Sequence, residues 1–145
     1  MAVIEFAKNV LKLEDANSTE MKQHTLNPVI DMMQGQKTIV NMGGTMRLGS
    51  YACMLKENTL AHSVYGADHI TERHRHRYEF NNKYLEQFTD HGMIASGFNP
   101  DSNLVEIIEI PTHKFFIGVQ FHPELKSTIL KPHPLFCGFI KACLS

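Results

Sequence analysis

The chain has 145 residues, of which 43% are hydrophobic and 20% charged, and its formal net charge is −1. This is the size and composition of one globular domain, and the near-neutral charge argues against a general nucleic-acid binder. There is no apolar run near the roughly 18 residues of a membrane span, no secretion signal, and no CxxC spacing among the three cysteines, so we expect a cytoplasmic protein without disulfides or zinc.

The first predicted element is a helix over residues 1–13. Apolar side chains recur there with a helical period and lie almost all round, which is typical of a helix buried inside a larger structure. Residues 14–44 are rich in Asn, Pro and Gly and are predicted to be mainly loop. Within them, residues 17–20 read Asn-Ser-Thr-Glu, the spacing of a capping box, so the residues alone favour a helix that starts at Asn17 or Ser18.

The rest of the chain mixes strands and helices. The predicted elements are a strand at 45–55, a helix at 58–66, extended chain at 70–80, a helix at 83–91 that ends at Gly92, strands at 93–98, 104–110 and 115–121, and a terminal helix at 134–144. This order indicates an α/β fold with some hairpins. Residues 42–49 lack the GxxxxGK[ST] spacing of a phosphate loop, so a tight turn entering a strand is favoured there.

Residues 72–78 read Glu-Arg-His-Arg-His-Arg-Tyr. On a strand, alternate side chains face opposite ways, which puts Arg73, Arg75 and Arg77 on one face and His74 and His76 on the other. The histidines could bind a metal, although the sequence has no third ligand at a spacing from them that would indicate a metal site. The arginines could grip nucleic-acid phosphates, although the chain is not basic. In a third interpretation one arginine forks onto a small carboxylate and the others form structural ion pairs.

Residues 118–124 read Gly-Val-Gln-Phe-His-Pro-Glu and carry the strongest chemical signal. The apolar run 115–121 predicts a buried strand that Pro123 ends, because proline has no N–H for the ladder. Proline also keeps His122 extended, and Glu124 is close enough to curl back towards the imidazole. A histidine with a carboxylate behind it is two-thirds of a nucleophile–base–orienter triad; the alternative is a polar surface turn.

Together these segments resemble the CTP synthase family, in its C-terminal glutaminase domain of the class I (triad) glutamine amidotransferase type. The matching stretches are AVIEFAKNVLKLEDANSTE, GGTMRLG, ERHRHRYEFNN, LVEIIE, FHPE and HPLFCGFIKA. FHPE by itself indicates no more than the amidotransferase class. GGTMRLG together with ERHRHRYE is far more specific and indicates CTP synthase. The resemblance implies a flavodoxin-like α/β fold, with residues 1–145 as a single partial glutaminase domain that is truncated at its N-terminus.

The resemblance also implies roles for four residues. His122 would be the general base and Glu124 its orienting carboxylate. Glu20 would bind the α-amino group of glutamine and Arg77 its α-carboxylate, which favours the carboxylate fork among the three interpretations of the arginine run. No metal site and no cofactor are implied for this chain.

The activity implied by the resemblance is hydrolysis of glutamine to supply ammonia for the ATP-dependent amination of UTP to CTP, a step of pyrimidine nucleotide synthesis. A synthetase domain of the same parent chain would use ATP and magnesium, and GTP would activate the glutaminase. The parent is expected to be a homo-oligomer, a tetramer. Two alternatives stay open: the glutaminase part of another amidotransferase, and a non-catalytic module that binds glutamine or a partner.

The sequence departs from the family pattern at the nucleophile. That residue is a cysteine in a Gly-x-Cys-x-Gly turn, and none of Cys53, Cys137 and Cys143 has this context. We expect the catalytic cysteine and the oxyanion-hole glycines upstream of Met1. The isolated chain is therefore predicted to be inactive, since it would lack the groups that carry acyl transfer. It is also predicted to be poorly folded or associated, since a domain without its first strands exposes an unpaired sheet edge and an uncovered apolar helix.

Overall fold

The computed structural model describes residues 1–32 and 46–145. Its α-helices are α1 (Ala2–Asn9), α2 (Leu60–Tyr65), α3 (Leu85–Asp90) and α4 (Pro134–Leu144). Its strands are β1 (Ala16–Ser18), β2 (Asn27–Met32), β3 (Arg47–Leu55), β4 (His69–His76), β5 (Tyr78–Phe80), β6 (Ile94–Phe98), β7 (Val105–Glu109) and β8 (Ile117–Val119). No helix in these two ranges has both the length and the apolar character to span a bilayer.

The strands form two sheets, and between β4 and β5 the chain passes from the larger sheet to the smaller one. The larger sheet has the order β4-β3-β6-β7-β8 and is antiparallel throughout, and the smaller has the order β1-β2-β5, with β1 and β2 parallel. Strands β3 and β6 pair only at Met54 and Leu55, so the β3–β4 hairpin is free to diverge from β6, β7 and β8. As a result the chain after β8 reaches β4, where the His122 N–H donates to the Arg73 carbonyl (2.9 Å).

Two hydrophobic clusters hold the elements together. The first packs α1 against the smaller sheet, α3 and one face of β6 and β7; Phe88 lies at its centre, with ring centroids 5.5 Å from Phe6 and 5.3 Å from Phe80. The second packs α2 and α4 against the other face, through Leu135 and Ile107 among others. The helices thus cover both faces of β6 and β7.

Most predicted elements are confirmed with differences at their ends, but β1 and β2 lie in the stretch 14–44 that was predicted to be mainly loop. Helix α4 has the predicted bounds, and Gly92, with φ of 96°, follows α3 as the predicted cap. Helix α1 stops at Asn9 instead of residue 13, since the chain turns into a positive φ at Lys12. The predicted strand at 115–121 is shorter in the structure: β8 covers Ile117–Val119, whose partners in β7 are Ile107, Ile108 and Glu109.

The prediction of a helix start at Asn17 or Ser18 is wrong. These residues end β1, and the Ser18 hydroxyl accepts the Glu20 N–H (3.2 Å) in a turn. The same short polar side chains serve turns and caps, and pairing of β1 with β2 decides between them here. The tight turn predicted at 42–49 falls largely outside the described residues.

Gly97 gives a direct test of how closely the second cluster is packed. A Cβ at this buried position of β6 would lie 2.7 Å from Ile107 Cγ1 and 2.9 Å from Cys53 Sγ. Gly97→Ala should therefore lower the free energy of unfolding by about 1–3 kcal/mol, the usual cost of overpacking a core. Denaturant unfolding measures this change, and a variant as stable as the parent would show that β6 and β7 pack less closely.

Candidate active site

His122 and Glu124 form a hydrogen-bonded pair just beyond β8. Pro123 opens a 3₁₀ turn over Pro123–Lys126, because its fixed φ suits the first position of a helical turn. The turn brings the Glu124 carboxylate back to the imidazole, with Oε1 2.7 Å from Nδ1. The contact that the sequence predicted between these two side chains is present.

The charge state of Glu124 sets the tautomer of His122. The Glu124 carboxylate accepts a hydrogen bond from its own backbone N–H and another from His122, and these hold its pKa below the usual range. An ionised carboxylate can only accept, so the neutral imidazole carries its proton on Nδ1 and keeps a lone pair on Nε2. The His122 side chain is 39% exposed, so this lone pair is open to an incoming proton donor.

Glu20 and Arg77 line the same open cleft, whose volume is about 510 Å³. Glu20 lies exposed in the turn after β1, where its backbone is held by Ser18. Arg77 occupies the bend between β4 in the larger sheet and β5 in the smaller one. The cleft thus places an anionic and a cationic side chain, distant in sequence, on the wall of one cavity.

Arg77 does not share a strand face with the other two arginines of its run. Strand β4 ends at His76, so the predicted alternation holds for exposed Arg73 and Arg75 but fails at Arg77, where the chain changes sheets. Arg75 also lines the cleft, whereas Arg73 does not. The alternation prediction was wrong at this position because it assumed one continuous strand over 70–80.

The His122–Glu124 pair follows Gln120, a residue of the cleft wall, by two positions in the chain. Neither residue lines the cleft, but Gln120 does, and its side chain donates to the Tyr78 carbonyl (2.8 Å). The His122 N–H is bonded to Arg73 O, so the base loop, which we define as residues 120–126, contacts the arginine run on both sides of Arg77. The four residues assigned by resemblance therefore occupy one region of the molecule.

A second anchor holds the far end of the base loop. Lys126 donates to the Thr71 carbonyl, and its ammonium lies 3.6 Å from Glu72, which is almost fully buried in β4. Glu72 also accepts from Tyr65 (3.1 Å) and from His133 (3.0 Å), the residue that caps α4. These contacts tie the base loop to α2 and α4, so the loop that carries His122 has a rigid support.

The inward face of β4 carries a buried polar cluster that the sequence did not reveal. Arg47 contacts Glu79 (3.3 Å) and Glu106 (2.7 Å), and His74 Nδ1 lies 2.8 Å from His76 Nε2. Burial, aided by the charge of Arg47, lowers the pKa of His74 to about 3 and that of His76 to about 4, so both are neutral at physiological pH. Two glutamates inside an otherwise apolar strand, at 106 and 109, were the signal of a buried charge network.

The sequence shows no third ligand at a telling distance from His74 and His76, and the fold brings one close. Glu106 of β7 completes a set whose ligand atoms all lie within 4.8 Å of one another. The Glu106 carboxylate, however, already bonds to the Arg47 guanidinium, which supplies the positive charge that two buried carboxylates need. This geometry favours an internal ion-pair network over a metal centre.

The three cysteines differ in burial: Cys53 is buried, Cys137 is partly buried and Cys143 is exposed. Cys53 is 1% exposed, and burial raises the pKa of its thiol to about 12, so it stays protonated. Cys137 and Cys143 lie on α4. In the part of the chain that the structure describes, no hydrogen bond joins any of these thiols to the imidazole.

The chain is similar in sequence and in structure to known CTP synthases. The chain is 62% identical to the CTP synthases of Cytophaga hutchinsonii, over 97% of its own length, and of Flavobacterium psychrophilum, over 99%. It spans only 26% and 27% of the lengths of these two relatives. Among solved structures, the glutaminase domain of Trypanosoma brucei CTPS with bound acivicin superposes with a TM-score of 0.89 and 35% identity, over 97% of this chain and 55% of that one.

These matches confirm the expected fold class. The α/β fold predicted from the resemblance is the fold of the trypanosomal glutaminase domain, whose TM-score is far above what unrelated folds give. The family described as "Glutamine amidotransferase class-I" matches residues 1–142. The chain therefore belongs to the class-I glutamine amidotransferase family.

Proposed function

We propose that the chain forms the glutamine-binding cleft and the general base of a CTP synthase glutaminase, which releases ammonia for the ATP-dependent amination of UTP to CTP. The observation that best supports this is the cleft itself. Glu20 and Arg77 line one cavity, and the base loop with its His122–Glu124 pair is bonded to the wall of that cavity.

The charges of the cleft suit a free α-amino acid. Such a substrate carries an ammonium and a carboxylate on one carbon, and Glu20 and Arg77 offer the two opposite charges. A guanidinium can donate two parallel hydrogen bonds to a carboxylate, which fixes its orientation as well as its position. With its α-carbon held in this way, glutamine would extend its carboxamide towards the side of the cleft where the base loop lies.

In the proposed reaction His122 Nε2 takes the proton of a thiol, and the thiolate that results attacks the carboxamide carbon. His122 passes a proton to the departing nitrogen, so that ammonia leaves and a thioester forms. His122 then takes a proton from the water that hydrolyses the thioester, giving glutamate and restoring the thiol. Glu124 holds the imidazole in the tautomer with a basic Nε2.

The thiol in this proposal comes from outside these 145 residues, since Cys53 is buried and the other two cysteines lie on α4. We expect purified chain incubated with glutamine to release no more glutamate than a His122→Ala control. Release that depends on His122 would contradict this and would assign the nucleophile to one of the three cysteines. Alanine substitution of each cysteine would then show which one.

ATP, magnesium and GTP belong to the proposed parent activity and are not placed on this chain. The sequence has no GxxxxGK[ST] loop, and the carboxylates Glu79 and Glu106 that could face a cation are paired with Arg47. We propose that these ligands act with a synthetase partner, within a homo-oligomer. The proposed role of the chain's own residues is confined to glutamine.

A hybrid enzyme tests the proposed function. In this hybrid, the chain replaces the matching segment of the Cytophaga hutchinsonii CTP synthase, to which it is 62% identical. We expect the hybrid to form CTP from UTP with either glutamine or free ammonia as nitrogen source. CTP formation from ammonia alone would contradict the proposal, and glutamine hydrolysis without CTP would favour another acceptor.

A further inference from the structure

Gln120, on the wall of the cleft, is held by hydrogen bonds at both its side chain and its backbone. Its Nε2 donates to the Tyr78 carbonyl (2.8 Å) and lies 3.3 Å from Glu79 Oε2, while its backbone N–H donates to the Glu106 carbonyl (2.9 Å). Gln120 is therefore fixed to β7 through its backbone and to β5 through its side chain.

These bonds control where His122 lies. Only Phe121, which is 3% exposed, separates the two residues, so the position of Gln120 passes to His122 with little freedom. The His122 N–H provides the other attachment, at Arg73 O. In the sequence Arg77 lies between Arg73 and Tyr78, whose carbonyls are the two attachment points, so both bonds tie the segment that carries Arg77 to the base loop.

The acceptors that hold the Gln120 amide are themselves rigid. Glu79 is 2% exposed and is paired with the Arg47 guanidinium. Both groups facing Nε2 offer oxygen acceptors, the Tyr78 carbonyl and the Glu79 carboxyl, so a hydrogen-bond donor suits this point. The cleft wall thus favours an amide over a carboxylate at position 120.

We infer that Gln120 is a positioning residue for glutamine hydrolysis, whose side-chain amide sets the spacing between the carboxylate-binding Arg77 and the base His122. The inference rests on the proposed function of the cleft. It predicts that losing the amide leaves glutamine bound but displaces the base from the carboxamide. A displacement on the order of 1 Å at a reacting centre costs up to about a hundredfold in rate.

The test uses Gln120→Met in the hybrid enzyme, since methionine keeps the length of the side chain and removes both donors. We expect kcat with glutamine to fall about ten- to a hundredfold, while KM for glutamine changes by less than about threefold. CTP formation from ammonia should be unchanged, which also shows that the variant is folded. Gln120→Glu, which adds repulsion from Glu79, should lose more kcat than Gln120→Met.

Asn99→Leu is the matched control. The Asn99 amide is buried and donates to the Ala52 carbonyl (3.0 Å) away from the cleft, so its loss should lower the melting temperature and leave kcat unchanged. An unchanged kcat in Gln120→Met would overturn the inference. A raised KM with the same kcat would also overturn it, because Gln120 would then contact the substrate. If the unsubstituted hybrid used only ammonia, the proposed function itself would fail.

Discussion

His122→Ala should lower glutamine-dependent CTP formation by the hybrid enzyme about 10²–10⁴-fold, the usual contribution of a positioned general base. The imidazole on the base loop can pass a proton between the thiol, the departing nitrogen and the attacking water. Its Nδ1 is held by Glu124, so Nε2 is the nitrogen that the substitution removes from the reaction. Ammonia-dependent CTP formation should not change, since ammonia bypasses the glutaminase step.

The ratio of the two activities is the measurement, because it cancels differences in protein concentration and folding. His91→Ala is a suitable control: this histidine is exposed just after α3, and its imidazole Nδ1 lies 2.9 Å from the Gln87 carbonyl oxygen. It should leave the ratio unchanged. A His122→Ala hybrid with the parent ratio would show that another group transfers the proton.

Arg77→Lys should lower kcat/KM for glutamine about ten- to a hundredfold, again without loss of ammonia-dependent activity. An ammonium keeps the charge but cannot donate two parallel bonds to a carboxylate. Loss of one hydrogen bond to a charged group costs about 1.5–3 kcal/mol, which gives the expected range. The steady-state kinetics of the hybrid with varied glutamine measure the effect.

Arg73→Lys is the control for this substitution. Arg73 belongs to the same arginine run and is exposed on β4, but it does not line the cleft. We expect it to change kcat/KM for glutamine little. If Arg77→Lys lowered the glutamine and ammonia activities equally, Arg77 would be a structural residue, and the carboxylate-binding site would lie elsewhere.

Features that depend on neighbouring residues were predictable from the sequence. Pro123 ends the strand and opens a turn, and two residues suffice to return Glu124 to His122, so their contact follows from local geometry. The terminal helix was predicted to the residue because it begins at Pro134, a favoured first position, after the cap His133.

Features that depend on pairing between distant segments were not predictable. Arg47 and Glu106 meet only because β3 and β7 flank β6 in the larger sheet, and no local pattern brings them together. Likewise, the position of Arg77 in the cleft depends on the change of sheet between β4 and β5. Residues 17–20 had the polar pattern of a helix cap, and the pairing of β1 with β2 overrode it.

A crystal structure of the hybrid enzyme with glutamine bound would test the central claim most directly. We predict the α-carboxylate of glutamine within hydrogen-bond distance of the Arg77 guanidinium, its ammonium beside Glu20, and its carboxamide on the side of the cleft where the His122 Nε2 lies. Glutamine bound away from this cleft, or bound in it with the carboxylate remote from Arg77, would contradict the account.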